Sequence, residues 1–221
     1  DLRQLNQILS DARAYQKAKF AASDVRKAAR QAHDTRLEAM QPVLEGKMPL
    51  IVSADDLSQI KSAVALAVRE DLKLIIHGGY DAPKCAELLK QYNVPVIIAG
   101  VYRVPLRRSD DYDAAFTLPT RLKSAGVQFC ISSSDRFGAA HVRNLPYHAA
   151  MAVAHGLPND EALKAITLYP AQILGLAHRV GSLEISKDAT LLISNGDPLV
   201  TTTEIQHAFI QGRPVDLNNR H

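Results

Sequence analysis

The chain has no tryptophan, only 5% aromatic residues and two cysteines among its 221 residues. Cys85 and Cys130 belong to no CxxC pair and no disulfide framework. Cys130 lies in the apolar run Val-Gln-Phe-Cys-Ile, where a small buried hydrophobe is the default role. No apolar stretch approaches the roughly 18 residues that crossing a bilayer requires, so no membrane partner is expected. Charge of one sign is also lacking. The formal net charge is +3, and the basic residues are interspersed with acids. The only local basic cluster, Arg103, Arg107 and Arg108, lacks the aromatic interleaving of a nucleic-acid surface, so no nucleic-acid partner is expected. That loop is a candidate for meeting an acidic substrate group, although an exposed arginine loop is the commoner outcome.

What is present is ordinary globular material, 47% hydrophobic and 22% charged, enough to bury a core. Residues 1–40 are rich in Ala, Gln, Lys and Arg, contain no Gly or Pro, and read as helix. The chain opens abruptly inside this helical pattern, which leads us to expect an incomplete domain. From residue 49 a strand–helix rhythm begins. Apolar strands are expected at 49–52, 72–76, 94–99 and 127–131, with helices at 57–70, 83–92 and around 118–125. Ile60, Val64, Ala67 and Val68 are the expected buried face of the first of these helices, with Asp55 or Asp56 as its cap. Uninterrupted apolar strands in βα units predict a parallel sheet covered on both faces. In such sheets chemistry sits at the carboxyl ends of the strands, and Ser53, His77, Gly100 and Asp135 all fall there. Beyond Asp135 the pattern changes to helices at 145–156 and 159–168. Short β segments follow at 181–183, 190–193, 205–210 and 214–215, with Gly212 at a turn.

The tail carries the most specific pattern. Glu161-Ala-Leu-Lys-Ala-Ile-Thr167, Pro170-Ala171 and Ile173-Leu-Gly-Leu176 are followed by Val180-Gly-Ser-Leu-Glu184, Lys187-Asp-Ala189, Gly196-Asp-Pro-Leu199 and Phe209-Ile-Gln-Gly-Arg213. These segments, in this order, closely resemble the C-terminal part of the amidohydrolase superfamily, most nearly its imidazolonepropionase-related branch. The resemblance implies an α/β fold: the C-terminal half of a TIM-like (β/α)8 barrel over residues 1–178. Residues 179–221 would be the C-terminal strands of a small β-sandwich domain. It also implies hydrolysis of a C–N bond, amide or cyclic amide, in a small-molecule substrate. The cofactor would be a divalent metal, zinc by preference and one ion rather than two. Further partners would be the missing N-terminal half of the barrel or, for the chain alone, further copies in a homo-oligomer.

Within the family pattern Asp135 takes the position after the last barrel strand, as metal ligand and proton shuttle; an aspartate after a strand also serves as a turn cap. His77 takes the sixth-strand ligand position, and otherwise is a hydrogen-bonded histidine at a strand end. Ser53 departs from the pattern, because the family carries histidine there, and serine is a poor metal ligand at neutral pH. Asp55, two residues on, could substitute. Arg143 and Asn144 match a loop that faces substrate, or they simply fix that loop, while His148 and His155 read as surface or packing residues. A catalytically impaired binding or scaffold protein is therefore the alternative to the enzyme. A complete flavodoxin-like domain is disfavoured, because the tail strands do not belong to that pattern and no phosphate-binding glycine loop is present.

Overall fold

Strands and helices alternate through most of the chain, as the apolar runs and the helical periodicity between them require. The computed structural model describes residues 2–22, 33–133 and 140–218. Two compact units emerge, residues 1–50 with 65–74, and residues 51–64 with 75–221. Among the described residues no helix is long and apolar enough to cross a membrane.

In the first unit, α1 (Leu2–Ala22) buries Leu9, Ala12 and Tyr15 along one face. The expected single helix over residues 1–40 is not what forms. Asp34 takes an extended conformation and its carboxylate accepts the N–H groups of Arg36 and Leu37, starting a separate helix, α2 (Thr35–Ala39). A short α3 (Gln41–Leu44) follows, and the side chain of Gln41 donates to the carbonyl of Ala12 at 3.3 Å. Propensity favoured one helix here, and the extended backbone at Asp34 sets α2 off as a helix of its own.

The next stretch delivers the four expected strands, the first two running on to residues 54 and 78 and the last two shorter than the apolar runs that announce them. β1 (Leu50–Ala54), β2 (Leu74–Gly78), β3 (Val96–Ile98) and β4 (Phe129–Ile131) lie side by side in that order. β2 pairs with β3 and β3 with β4, both parallel, with Ile76 opposite Val96, Val96 opposite Phe129 and Ile98 opposite Ile131. The period of two puts Ile75 and His77 on one face of β2 and Ile76 on the other. α4 (Leu57–Arg69) follows β1 and buries Ile60, Ala63, Val64 and Ala67, the i, i+3, i+4, i+7 set of a core-facing stripe. Val68, expected on that stripe, is exposed.

After β2 a 3-10 turn (Ala82–Cys85) leads into α5 (Ala86–Gln91), and α6 (Leu118–Ser124) precedes β4. Beyond β4 come α7 (Leu145–Ala154), α8 (Asn159–Ile166) and α9 (Leu168–Ile173). The helix expected at 159–168 ends at Ile166, and the separate α9 follows it. Thr167, with φ −128° and ψ −78°, breaks the helix between them. α9 brings Ile173 into a cluster with Ile75 and Cys130, and Tyr169 meets Phe129 edge-on at 6.3 Å. Both cysteines are buried and free, and burial pushes the Cys130 thiol up to about 12, so it is an inert core residue. Glu161, on α8, accepts from Lys123 of α6 and Tyr169 of α9, both at 2.6 Å, and so fastens three helices around β4.

The tail forms a three-stranded antiparallel sheet of β5 (Leu191–Ser194), β6 (Ile205–Ile210) and β7 (Arg213–Pro214). Gln211 and Gly212 both have positive φ, 50° and 76°, as a two-residue hairpin requires. The β segment expected at 181–183 is instead a bend without regular structure. Its residues find hydrogen bonds within the loop, where Ser182 Oγ donates to Glu184.

Phe129 is 2% exposed at the centre of these contacts. Phe129→Ala should lower unfolding free energy by about 3–5 kcal/mol in a urea titration, and a loss below about 1 kcal/mol would show that β4 is not at the centre of the core.

Candidate functional site

The parallel strands all end on one side, and the residues that follow them line a single open cavity of about 910 Å³. β1 contributes Ser53 and Ala54, with Asp55 just beyond, and β2 contributes His77 and Gly78. Ala99 and Gly100 follow β3, and Ser133 follows β4. Ser53 Oγ and His77 Nδ1 are 3.4 Å apart. The sequence reading placed Ser53, His77 and Gly100 at strand ends, and the structure brings these three together. Asp135 lies outside the described residues.

The cavity's charged rim comes from three successive loops. Arg103, in the loop after β3, donates from both terminal nitrogens to Asp55, at 2.8 and 3.1 Å, and its guanidinium lies 5.9 Å from the Tyr80 ring centre. Asp55 also accepts the N–H of Tyr80 at 3.2 Å. Arg107 makes a two-pronged contact with Asp81, at 3.1 and 2.6 Å, and reaches Asp56 as well. Asp81 is 2% exposed. Its Oδ2 accepts the N–H of Leu57 at 3.2 Å, so Asp81 caps α4, the task expected of Asp55 or Asp56. Gln59 completes the helix start by reaching back to the N–H groups of Asp55 and Asp56. Asp55 and Asp56 are thereby released to bind arginines, which local sequence alone does not reveal. Of the arginine loop, Arg103 turns out to be a cavity-lining, clasped side chain and not an exposed one.

The third wall is α7 with the turn before it. Asn144, Tyr147 and His148 line the cavity, as does His141. Arg143 is exposed and does not line it. His148, expected at the surface or in packing, accepts the N–H of Val101 through Nδ1 at 3.2 Å and meets Tyr102 edge-on at 4.9 Å. The available signal was spacing, because Asn144 and His148 are four residues apart and share one helical face. His155 does pack, with its ring 5.0 Å from that of Phe116. Thr201, from the β5–β6 connection, also reaches the cavity and had no sequence signal.

The chain belongs to the amidohydrolase family, whose family model matches residues 26–215. It is 30% identical over 149 residues to an imidazolonepropionase from Brucella anthropi, covering 66% of this chain and 35% of that protein. An imidazolonepropionase from Syntrophobacter fumaroxidans is 35% identical over 77 residues, 34% of this chain and 18% of that protein. Among solved structures, an amidohydrolase from Thermotoga maritima superposes with a TM-score of 0.85 at 24% identity, covering 96% of this chain and 54% of that one. The chain thus spans only part of the length of the proteins it resembles.

The donor chemistry of the described residues does not by itself fit a divalent ion. His77 offers one imidazole, Ser53 stands where a second was expected, and Asp55 is already paired with Arg103. Among the described residues no group of three or more His, Cys, Asp or Glu is placed to hold a metal.

The Asp81 clasp should be visible in acid. Burial raises its carboxyl, but hydrogen bonds from Arg107, Lys84 and the Leu57 N–H outweigh this and hold it at about 2, against 3.8 for a free aspartate. Its stabilisation is therefore fully present above pH 3.8 and is lost as the pH falls through 2. The stability difference between the parent chain and Asp81→Asn should be constant from pH 7 to about 4 and shrink toward zero near pH 2. A difference that does not change over that range would show that Asp81 is not held as an anion.

Proposed function

We propose that this chain is the C-terminal half of a (β/α)8-barrel hydrolase that cleaves a C–N bond, amide or cyclic amide, in a small molecule. The observation that carries this reading is the convergence of Ser53, His77, Gly100 and Ser133, at the carboxyl ends of four neighbouring strands, on one cavity. The family match and the likeness to imidazolonepropionases support it. β1 to β4 would be the last four strands of the barrel, and β5 to β7 one share of a β-sandwich. Large exposed apolar side chains in the tail, Ile185, Leu192 and Ile210 among them, support a covering partner for that sheet.

In this reading Asp135 is the proton shuttle, His77 and Asp135 are this chain's ligands to a single zinc ion, and the other barrel half completes the set. Asn144 is the substrate-facing member of the Arg143–Asn144 pair. A second reading, a binding or scaffold protein that has lost hydrolysis, is favoured by Ser53 and by the engagement of Asp55 with Arg103.

Metal analysis separates the two. The chain assembled with its complementary half should retain about one zinc, manganese or iron ion per barrel, and His77→Ala should lose it. Absence of stoichiometric metal from the assembled barrel sinks the enzyme reading. Ser53→His should raise metal affinity by at least about tenfold, or about 1.4 kcal/mol. The isolated chain should elute as oligomers or aggregates in size-exclusion chromatography, because open sheet edges and bare apolar faces seek partners. A monomer with a single sharp melting transition would contradict the half-barrel.

A further inference from the structure

Asp55 is the one carboxylate among the described residues that line the cavity, and Arg103 is the one guanidinium. They are bound to each other. Asp55 Oδ1 accepts from Arg103 at 3.1 Å and from the Tyr80 N–H at 3.2 Å, and Oδ2 accepts from Arg103 at 2.8 Å. The carboxylate is pressed against the end of β2. Gly78 has φ +106°, and a Cβ placed there would come within 2.8 Å of Asp55 Oδ1. Asp55 therefore packs against the residue that follows His77, at the end of the cavity where His77 and Ser53 also lie.

We infer that Arg103 is the resident cation at this end of the cavity. Its guanidinium takes the place beside Asp55 that a divalent ion would otherwise take, and so removes Asp55 from any metal's ligand set. Three features of the pair make the exchange with an ion unfavourable. A two-pronged guanidinium–carboxylate contact is the strongest hydrogen-bonded arrangement the two groups can make. The Tyr80 ring under the guanidinium adds a further contact that an ion would have to disrupt. A divalent ion entering beside a fixed guanidinium would also meet a like charge at short range. Arg103 is thus a positioning residue. It holds the Asp55 side chain against β2 and ties the loop after β3 to the end of β1, without itself being asked to touch a reacting atom. This assignment rests on the amidohydrolase reading only for the expectation that an ion would be sought at this place.

The test is cobalt(II) titration of the metal-stripped barrel, assembled from its complementary half and either the parent chain or a variant, read by visible absorption and by calorimetry. Arg103→Met leaves Asp55 an uncompensated carboxylate beside His77 and Ser53, and should bind cobalt(II) at least roughly tenfold more tightly than the parent chain. Adding Asp55→Asn to Arg103→Met should abolish the gain, and Arg103→Lys, which keeps the positive charge, should not produce it. If Arg103→Met fails to fold, as judged by its circular dichroism, Arg103→Gln carries the same expectation. A folded Arg103→Met or Arg103→Gln with the parent's affinity overturns the inference, and so does a gain that survives Asp55→Asn. Failure of the hydrolase reading is distinguishable. A barrel that retains no metal defeats that reading, while the comparison of Arg103→Met with its parent depends only on the change between two chains.

Discussion

The buried carboxylate of Asp81 is the point on which the arrangement of the strand-end loops depends. It lies just after β2, at the centre of the sheet, and accepts from three directions at once: the first turn of α4, Lys84 of its own turn and Arg107 of the loop after β3. Three loops that are distant in sequence are thereby fastened to one side chain. A buried charge is costly unless it is paired and hydrogen-bonded, and here the pairing is what fixes the loops. Removing any one of its partners leaves the others attached to an imperfectly compensated anion.

That fastening determines what the neighbouring acids are free to do. With Asp81 supplying the helix cap, Asp55 and Asp56 face the arginine loop, and Arg103 and Arg107 bind one each. The result is a cavity whose mouth is braced by ion pairs and whose interior offers His77, Ser53, Asn144 and His148. Such bracing is what a binding or catalytic site needs, because preorganised groups lose little freedom when a ligand arrives. The same bracing consumes the carboxylate that could have compensated for serine at position 53. Ser53, 3.4 Å from His77, thus sits in the cavity with a hydroxyl and, among the described residues, no carboxylate free beside it.

Helix and strand positions were largely legible, because period and apolar run length are local properties. Ile60, Val64 and Ala67 announced α4, and the Val96–Ile98 run announced β3. What failed were ends and interruptions. An extended Asp34 starts a helix of its own, Thr167 splits one helix into two, and a bend stands at 181–183 in place of a strand. Each of these was decided by one hydrogen bond or one pair of backbone angles, which average propensities do not register. At the site, His77 and Ser53 were readable from the family pattern and their strand-end positions, and Asn144 from the loop that follows. His148 carried only its four-residue spacing from Asn144 and Thr201 carried no signal, because their place in the cavity depends on which segments meet in space.

The sequence by itself determined the family, the order of the strands and helices, and the place along each strand where chemistry could sit, since all of these follow from local pattern and from motifs in the tail. Only the tertiary structure decided how the charges are paired. Asp55, Asp56 and Asp81 are equivalent as letters, three aspartates each close behind a strand. Their roles differ because Asp81 alone is sealed from solvent beneath Arg107, so it must be satisfied first, and the other two take the partners that remain within reach.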